Sequence, residues 1–373
     1  MIYLEILQQI SDKEIKLISK KIFQNIRISS QEALILFEKA ELSLLSVLAE
    51  YVRKRINGNN VFYVRNYHIE PTNKCIHKCK FCSYSERISG YGWELSDTEI
   101  IEKVSLLDNN ITELHIVGGV HPIKGIKYYI PILKKIKEIK PNIHIKAFTA
   151  VEIEGMANID NISTEKALIL LKEAGLNSIP GGGAEIFNKT LRAEICPTKT
   201  TTDNWLNIHR TAHKLGIPSN ATMLYGFFET YQHRVEHLEY LRNLQDETNG
   251  FNAFIPLKFR NKNNEYSHIS EVSITEDLKN FAISRIFLDN IPHLKSYWPM
   301  MGIDIARISL HFGVDDLDGT INNSTKIYSM AGSVNDPSLS ANEINKIIIE
   351  EGFVPIERDA VYKCISNYKF LKI

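Results

Sequence analysis

Cys75-Ile76-His77-Lys78-Cys79-Lys80-Phe81-Cys82 places three cysteines at four- and three-residue spacing, directly after a strand-like run at residues 62–69. Thiolates are soft ligands, and a tight loop of them suits an iron–sulfur cluster or zinc. A structural zinc site takes four ligands. This loop offers three, with no fourth cysteine nearby in the sequence. Three thiolates on a four-iron cluster leave one iron without a protein ligand, free to bind a small molecule. That is the preferred reading; zinc and three merely buried cysteines are the alternatives.

Outward from the loop, strand and helix patterns alternate. Ser96-Asp97-Thr98-Glu99 is a capping box opening a helix to about Leu107. Strands are predicted at 112–117, 143–148, 177–179, 219–224 and 252–255, near Lys295, and near Val314. Between them, helical stretches end at Ile139 before Pro141, at Gly175, at Gly216, near Gly250 and at Asp289. Beyond Pro299 a helix to about Leu310 is expected. Repeated strand–helix units with short connections imply a parallel sheet, and about eight right-handed units close a barrel. The fold class is therefore α/β, a TIM-type (β/α)8-like barrel. Residues 1–58 read as a helical extension packed on the barrel, or closing one of its ends. In it Ser30 is a plausible N-cap, and Leu34, Phe37, Leu44, Leu45, Leu48 and Val52 recur at near-helical spacing. Residues 59–373 read as the barrel with a C-terminal extension.

The totals restrict the partners. At 373 residues the chain exceeds one average domain, within the range of a single α/β barrel. Lys+Arg and Asp+Glu are 44 each, so no basic surface argues for nucleic acid. No apolar run approaches about 20 residues, so no membrane span is expected, and the N-terminus lacks a signal-peptide pattern. Five cysteines, three of them clustered, do not form a disulfide framework. Reduced thiols and an oxygen-sensitive cluster point to the cytoplasm.

A barrel carries its chemistry at the C-terminal ends of its strands. The cysteine loop sits at such an end, as do Gly118-Gly119, Thr149, Gly181-Gly182-Gly183 and Asp315-Asp316. Glycines there let backbone approach a ligand, or simply turn the chain. His121 is either a polar contact to substrate or a loop histidine. Glu185 follows the triple glycine, where a carboxylate accepts hydrogen bonds; the bland alternative is a surface turn. Arg192, Lys199, Arg307 and His311 are candidate anchors for an acidic substrate, arginine binding carboxylate bidentately. The pairs His209/His213 and His233/His237 lack the glutamate of a zinc-protease motif and read as structural. Cys196 and Cys364 read as ordinary apolar residues.

CxxxCxxC with Phe81 just before the last cysteine resembles the radical S-adenosylmethionine (SAM) superfamily. The resemblance implies a four-iron–four-sulfur cluster on Cys75, Cys79 and Cys82, and SAM on the open iron. It also implies cleavage of SAM to methionine and a 5′-deoxyadenosyl radical, and places Phe81, Gly118, Gly119 and Glu185 at the cofactor. More specifically, His68-Ile69-Glu70-Pro71-Thr72-Asn73, Ile145-Lys146-Ala147-Phe148-Thr149, Ile179 to Phe187 (IPGGGAEIF) and His311 to Thr320 (HFGVDDLDGT) are similar to the aminofutalosine synthase family. The similarity runs from about residue 30 to about 360. It implies addition of the 5′-deoxyadenosyl radical to the vinyl group of 3-(1-carboxyvinyloxy)benzoate, then rearrangement and loss of carbon dioxide. The products are 6-amino-6-deoxyfutalosine and methionine, on the futalosine route to menaquinone. A reductant such as flavodoxin or ferredoxin supplies the electron. In that reading His121, Thr149, Arg192, Lys199, Arg307 and His311 are the substrate-binding candidates. The cyclic dehypoxanthinyl futalosine synthase and deazaflavin-precursor synthase families share the cluster loop and triple glycine. They commonly have tryptophan at the position of Leu257, and Asn-Asp before a glycine pair where this chain has Asp315-Asp316-Leu317-Asp318-Gly319. Some superfamily members carry an arginine for the SAM carboxylate where this chain has Trp205. A structural cluster or zinc in a non-enzymatic binding module is the remaining alternative.

Overall fold

The computed structural model describes residues 2–322, 324–333 and 337–367. The described residues form ten strands: β1 (Asn60–Val64), β2 (Asn66–Ile69), β3 (Glu113–Ile116), β4 (His144–Ala147), β5 (Ser219–Tyr225), β6 (Phe251–Lys258), β7 (His293–Leu294), β8 (Asp316–Gly319), β9 (Val354–Arg358) and β10 (Cys364–Asn367). Parallel pairing runs β2–β3–β4 and β5–β6–β7. Single parallel bridges, Lys146 to Ser178 and Ile179 to Ser219, join these two sets through residues 178 and 179, and Lys295 to Asp316 joins β7 to β8. β8 pairs in parallel with β1 and closes the ring. The barrel is a parallel (β/α)8-like one, with helices covering its outside. β5 is buried along its whole length, as expected of a strand covered on both faces.

Several expectations from sequence are corrected. The run 62–69 is not one strand. It divides at Arg65, whose carbonyl accepts from the amides of Thr112 and Glu113. Below that point β1 has β9 as its neighbour, because β3 has not yet begun; above it β2 takes β3. The stretch 177–179 contributes only bridges. The helical run after Ser30 breaks at Ala40 into Ser30–Lys39 and Leu42–Asn57, and the cap is Ser29, boxed with Glu32. The helix beyond Pro299 breaks at Gly302, whose φ is 85°. Unforeseen are the helices Ala150–Ile159, Lys189–Ile195 and Ala341–Glu350, and the antiparallel hairpin β9–β10.

The helices Ser30–Lys39 and Leu42–Asn57 lie outside the barrel against the helices Tyr231–Thr248 and Ile274–Phe287. Phe37 stacks on Tyr231 at 4.8 Å between centroids, and Lys279 donates to the Phe37 carbonyl at 3.0 Å. Leu36, Phe37, Leu45 and Leu48 are fully buried there. Each large buried side chain of this kind contributes about 1.5–3 kcal/mol relative to exposure.

Candidate active site

A cavity of about 300 Å³ opens at the C-terminal end of the barrel. Its floor is polar. Strand register sets His68, His115 and Lys146 side by side on β2, β3 and β4, because parallel partners project to the same face. Lys146 pairs with Glu113 at 2.7 Å, and Lys295 with Asp318 at 2.6 Å. Beneath them Arg358 pairs with Asp316 at 2.7 Å. Burial alone would raise the Glu113 pKa; Lys146, Lys295 and Arg358 outweigh it and hold the carboxyl below its ordinary range. Burial lowers His68 to about 4 and His115 well below the usual histidine value, so both imidazoles are neutral at physiological pH. The floor thus holds its charges in closed pairs, with two neutral imidazoles between them.

The walls are backbone held by side chains. Gly118 donates to Glu152 Oε1 at 2.9 Å, and Thr149 donates to Oε2 from its amide at 2.7 Å and its hydroxyl at 2.8 Å. The same threonine caps the helix Ala150–Ile159. Glu152 therefore ties the ends of β3 and β4 together, and its burial pushes its pKa up to about 7. Gly119 is required sterically, since a Cβ there would lie 2.2 Å from the Lys74 carbonyl. On the next wall Arg192 donates to the carbonyls of Thr200, Ala184 and Gly183 at 2.5–2.9 Å. Trp205 donates to the Gly182 carbonyl at 3.2 Å. The triple glycine is clamped, and Glu185 leaves it at φ 50° with its carboxylate 2.5 Å from Lys199 Nζ.

The cysteine loop lies over the mouth. Cys82 and Phe81 line the cavity, and Lys199 Nζ is 5.7 Å from the Phe81 ring centre. The Val120 amide points at Cys75 Sγ at 3.4 Å, and the amides of Tyr84 and Ser85 at the Cys82 sulfur. Backbone N–H groups aimed at cysteine sulfur suit thiolates that carry a cluster's negative charge. Among the described residues no three His, Cys, Asp or Glu converge as they would around a single metal ion. A four-iron cluster instead spreads its thiolates over three irons. The donor set fits such a cluster. Opposite the loop, Glu70 accepts from Thr325 Oγ1 at 2.7 Å and from the amides of Lys326 and Ile327. That contact pins the stretch carrying Tyr328 across the cavity.

Two family models match: the radical SAM superfamily over residues 69–241, and the CofH/MqnC C-terminal region over 248–370. The aminodeoxyfutalosine synthase of Thermus thermophilus is 39% identical, covering 95% of this chain and 96% of its own. The chain belongs to the radical SAM superfamily. That of Streptomyces coelicolor is 36% identical, over 94% of each chain. The 5-amino-6-(D-ribitylamino)uracil–L-tyrosine 4-hydroxyphenyl transferase of Archaeoglobus fulgidus is 37% identical over 86% of this chain and 93% of its own. Among solved structures, the hydrogenase maturase HydG superposes with a TM-score of 0.75 at 18% identity, covering 96% of this chain and 79% of its own. Methylornithine synthase (PylB) gives 0.71 at 17%, covering 90% and 95%. These two share the fold. Membership of the radical SAM superfamily implies a 4Fe-4S cluster and SAM.

In this radical SAM barrel the cavity gathers Phe81, Cys82, Gly118, Thr149, Glu185 and Lys199. His121 is outside it: Nδ1 accepts from the Ile123 and Lys124 amides, and Nε2 faces Glu94. Arg192 is inside the wall with its donors spent on carbonyls. Arg307 and His311 are at the opposite end. Both pair with Glu351, which precedes the entry to β9, so neither reaches a ligand at the mouth. Both precede β8, which begins at Asp316, and so lie at the N-terminal end of the strands and not at the top where they were expected. Sequence reading passed over Lys146, His115, Lys295 and Arg260. For Lys146 and His115 the available signal was a charged or polar residue within a strand, which in a barrel can point inward; Arg260 and Lys295 lie just beyond strand ends and gave none.

Proposed function

We propose that this enzyme couples the nucleoside of SAM to 3-(1-carboxyvinyloxy)benzoate, forming 6-amino-6-deoxyfutalosine, as the aminodeoxyfutalosine synthases do. The observation that carries the reading is the 39% identity to such a synthase over nearly the full length of both chains. Leu257, where the rival families commonly have tryptophan, lines the cavity, and so does Asp318 of the 315–319 segment that departs from their pattern. Bound together, the cluster and SAM supply a reactive nucleoside carbon once a one-electron donor of the flavodoxin or ferredoxin kind has reduced the cluster. Cys75, Cys79 and Cys82 would hold the iron.

The chain's own residues bind, orient and exclude water. Glu185 and Lys199 form an ion pair complementary to an α-amino acid, the carboxylate for its ammonium and the ammonium for its carboxylate. The pair lies beside the cysteine loop, where the methionine end of SAM belongs. Gly118 and the 181–183 loop offer close backbone, and Glu152 and Arg192 keep that backbone in place. Lys146 and Lys295, each held in an ion pair, give the floor a fixed polar surface against the substrate. The stretch pinned by Glu70 closes the site against water. Incubating the anaerobically reconstituted protein with SAM, a reductant and the enolpyruvyl benzoate should yield a nucleoside with the mass of 6-amino-6-deoxyfutalosine. Consumption of tyrosine with a ribitylaminouracil instead would assign the chain to the hydroxyphenyl transferases and end this reading.

A further inference from the structure

The lysines of the cavity floor are neutralised by Glu113 and Asp318, so no charge there is left to hold a ligand. One neutral group is. Asn220 lines the cavity and is 5% exposed, yet among the described residues its side-chain amide has no hydrogen-bond partner. The orphaned His115 nitrogen is sealed within the wall, whereas the Asn220 amide is not sealed and keeps its surface on the cavity. Buried amides are nearly always paired, and an unpaired one is costly. An open amide at a nine-tenths-buried position therefore points to a ligand as its partner.

The position is deep and rigid. Asn220, Thr222 and Leu224 are successive inward-facing positions of β5, and Asn220 is the farthest from the mouth. At about 3.3 Å per residue it lies roughly 13 Å along the strand from Leu224. The glycine loop presses on the same strand: a Cβ on Gly181 would lie 2.6 Å from the Asn220 carbonyl. Thr222 fixes that loop by donating to the Gly181 carbonyl at 2.7 Å.

The vinyl carbon of the acceptor must meet the nucleoside beside the Glu185–Lys199 pair, at the cysteine-loop side. The group across the aromatic ring from it then enters deepest. We propose that Asn220 is a specificity-determining residue that reads this inner group by neutral hydrogen bonding and not by charge. The inference rests on the function proposed above. An amide carries two N–H donors and one acceptor, so it can serve a ring carboxylate or a ring carboxamide.

Calorimetry on reconstituted enzyme with SAM and no reductant, so that nothing turns over, tests this. The ligands are 3-(1-carboxyvinyloxy)benzoate, the matching benzamide, and (1-carboxyvinyloxy)benzene. Wild type should bind benzoate and benzamide within about threefold of each other. Both should exceed the unsubstituted ring by about tenfold, the scale of one or two hydrogen bonds. Asn220→Leu should bring all three within about threefold, with SAM affinity unchanged as the control for folding. Asn220→Asp, the same shape with acceptors only, should reject the benzoate and keep the benzamide, which can donate. Should Asn220→Leu fail to hold SAM, the Asp variant carries the comparison. Three results overturn the assignment: a wild type that strongly prefers benzoate to benzamide, a wild type that binds all three alike, or variants that keep the wild-type order. If wild type binds none of the three, the proposed function itself fails and the assignment falls with it.

Discussion

At the scale of single residues, the proposed function puts the chemistry on the cysteines and the Glu185–Lys199 pair. Burial pushes the Cys79 thiol up to about 12 and raises Cys82 as well, so iron binding there would have to displace their protons. Replacing any of Cys75, Cys79 or Cys82 by Ala should abolish the cluster. Cys196→Ala and Cys364→Ala should leave iron per chain and the visible spectrum at wild-type values. Full iron in Cys79→Ala would refute the ligand set. Glu185→Gln and Lys199→Met should each weaken SAM binding by about 1.5–3 kcal/mol in calorimetry. Each variant also strands its partner's charge in a largely buried site. Unchanged affinity in both would return the pair to a structural role.

At the scale of elements, the site is shaped by short helices that dock on strand ends. The helix Lys189–Ile195 delivers Arg192 to three carbonyls around the glycine loop. Arg192→Ala should lower the unfolding free energy by about 3 kcal/mol or more, since each abandoned buried carbonyl costs about 1–3 kcal/mol. Arg307→Ala, which removes a partly exposed pair with Glu351, should cost less than about 1 kcal/mol. Denaturant titration of the two variants distinguishes the clamp from the surface pair; comparable losses would contradict the assignment. These helices were the least legible part of the sequence. Thr149-Ala150-Val151-Glu152 is a capping box in plain view, but it follows β4 so closely that it reads as a strand end. The loop Cys75–Cys82 and the glycine pairs were legible because their chemistry is local. Arg192 was misjudged because its partners are backbone carbonyls eight or nine residues to either side, which no side-chain pattern shows.

At the scale of the whole molecule, alternating strands and helices announced a parallel barrel, and the pairing closes one. Its interior was harder to read. Lys146, Lys295, Glu113, Asp318 and Asp316 look like surface residues in a linear sequence, yet strand register turns each inward, and β8 and β9 bring Asp316 and Arg358 together from 42 residues apart. The division at Arg65 was invisible for the same reason, since it depends on a C-terminal strand lying beside β1.

The proposed function sets one demand on the reaction: the nucleoside's 5′ carbon must meet the vinyl carbon before any hydrogen donor does, with reacting atoms about 3–3.5 Å apart. SAM labelled at the 5′ carbon, turned over with 3-(1-carboxyvinyloxy)benzoate and a reductant, tests this most directly. The label should appear in the coupled nucleoside. Label recovered mostly as free 5′-deoxyadenosine, with efficient turnover of dehypoxanthinyl futalosine by the same preparation, would contradict it.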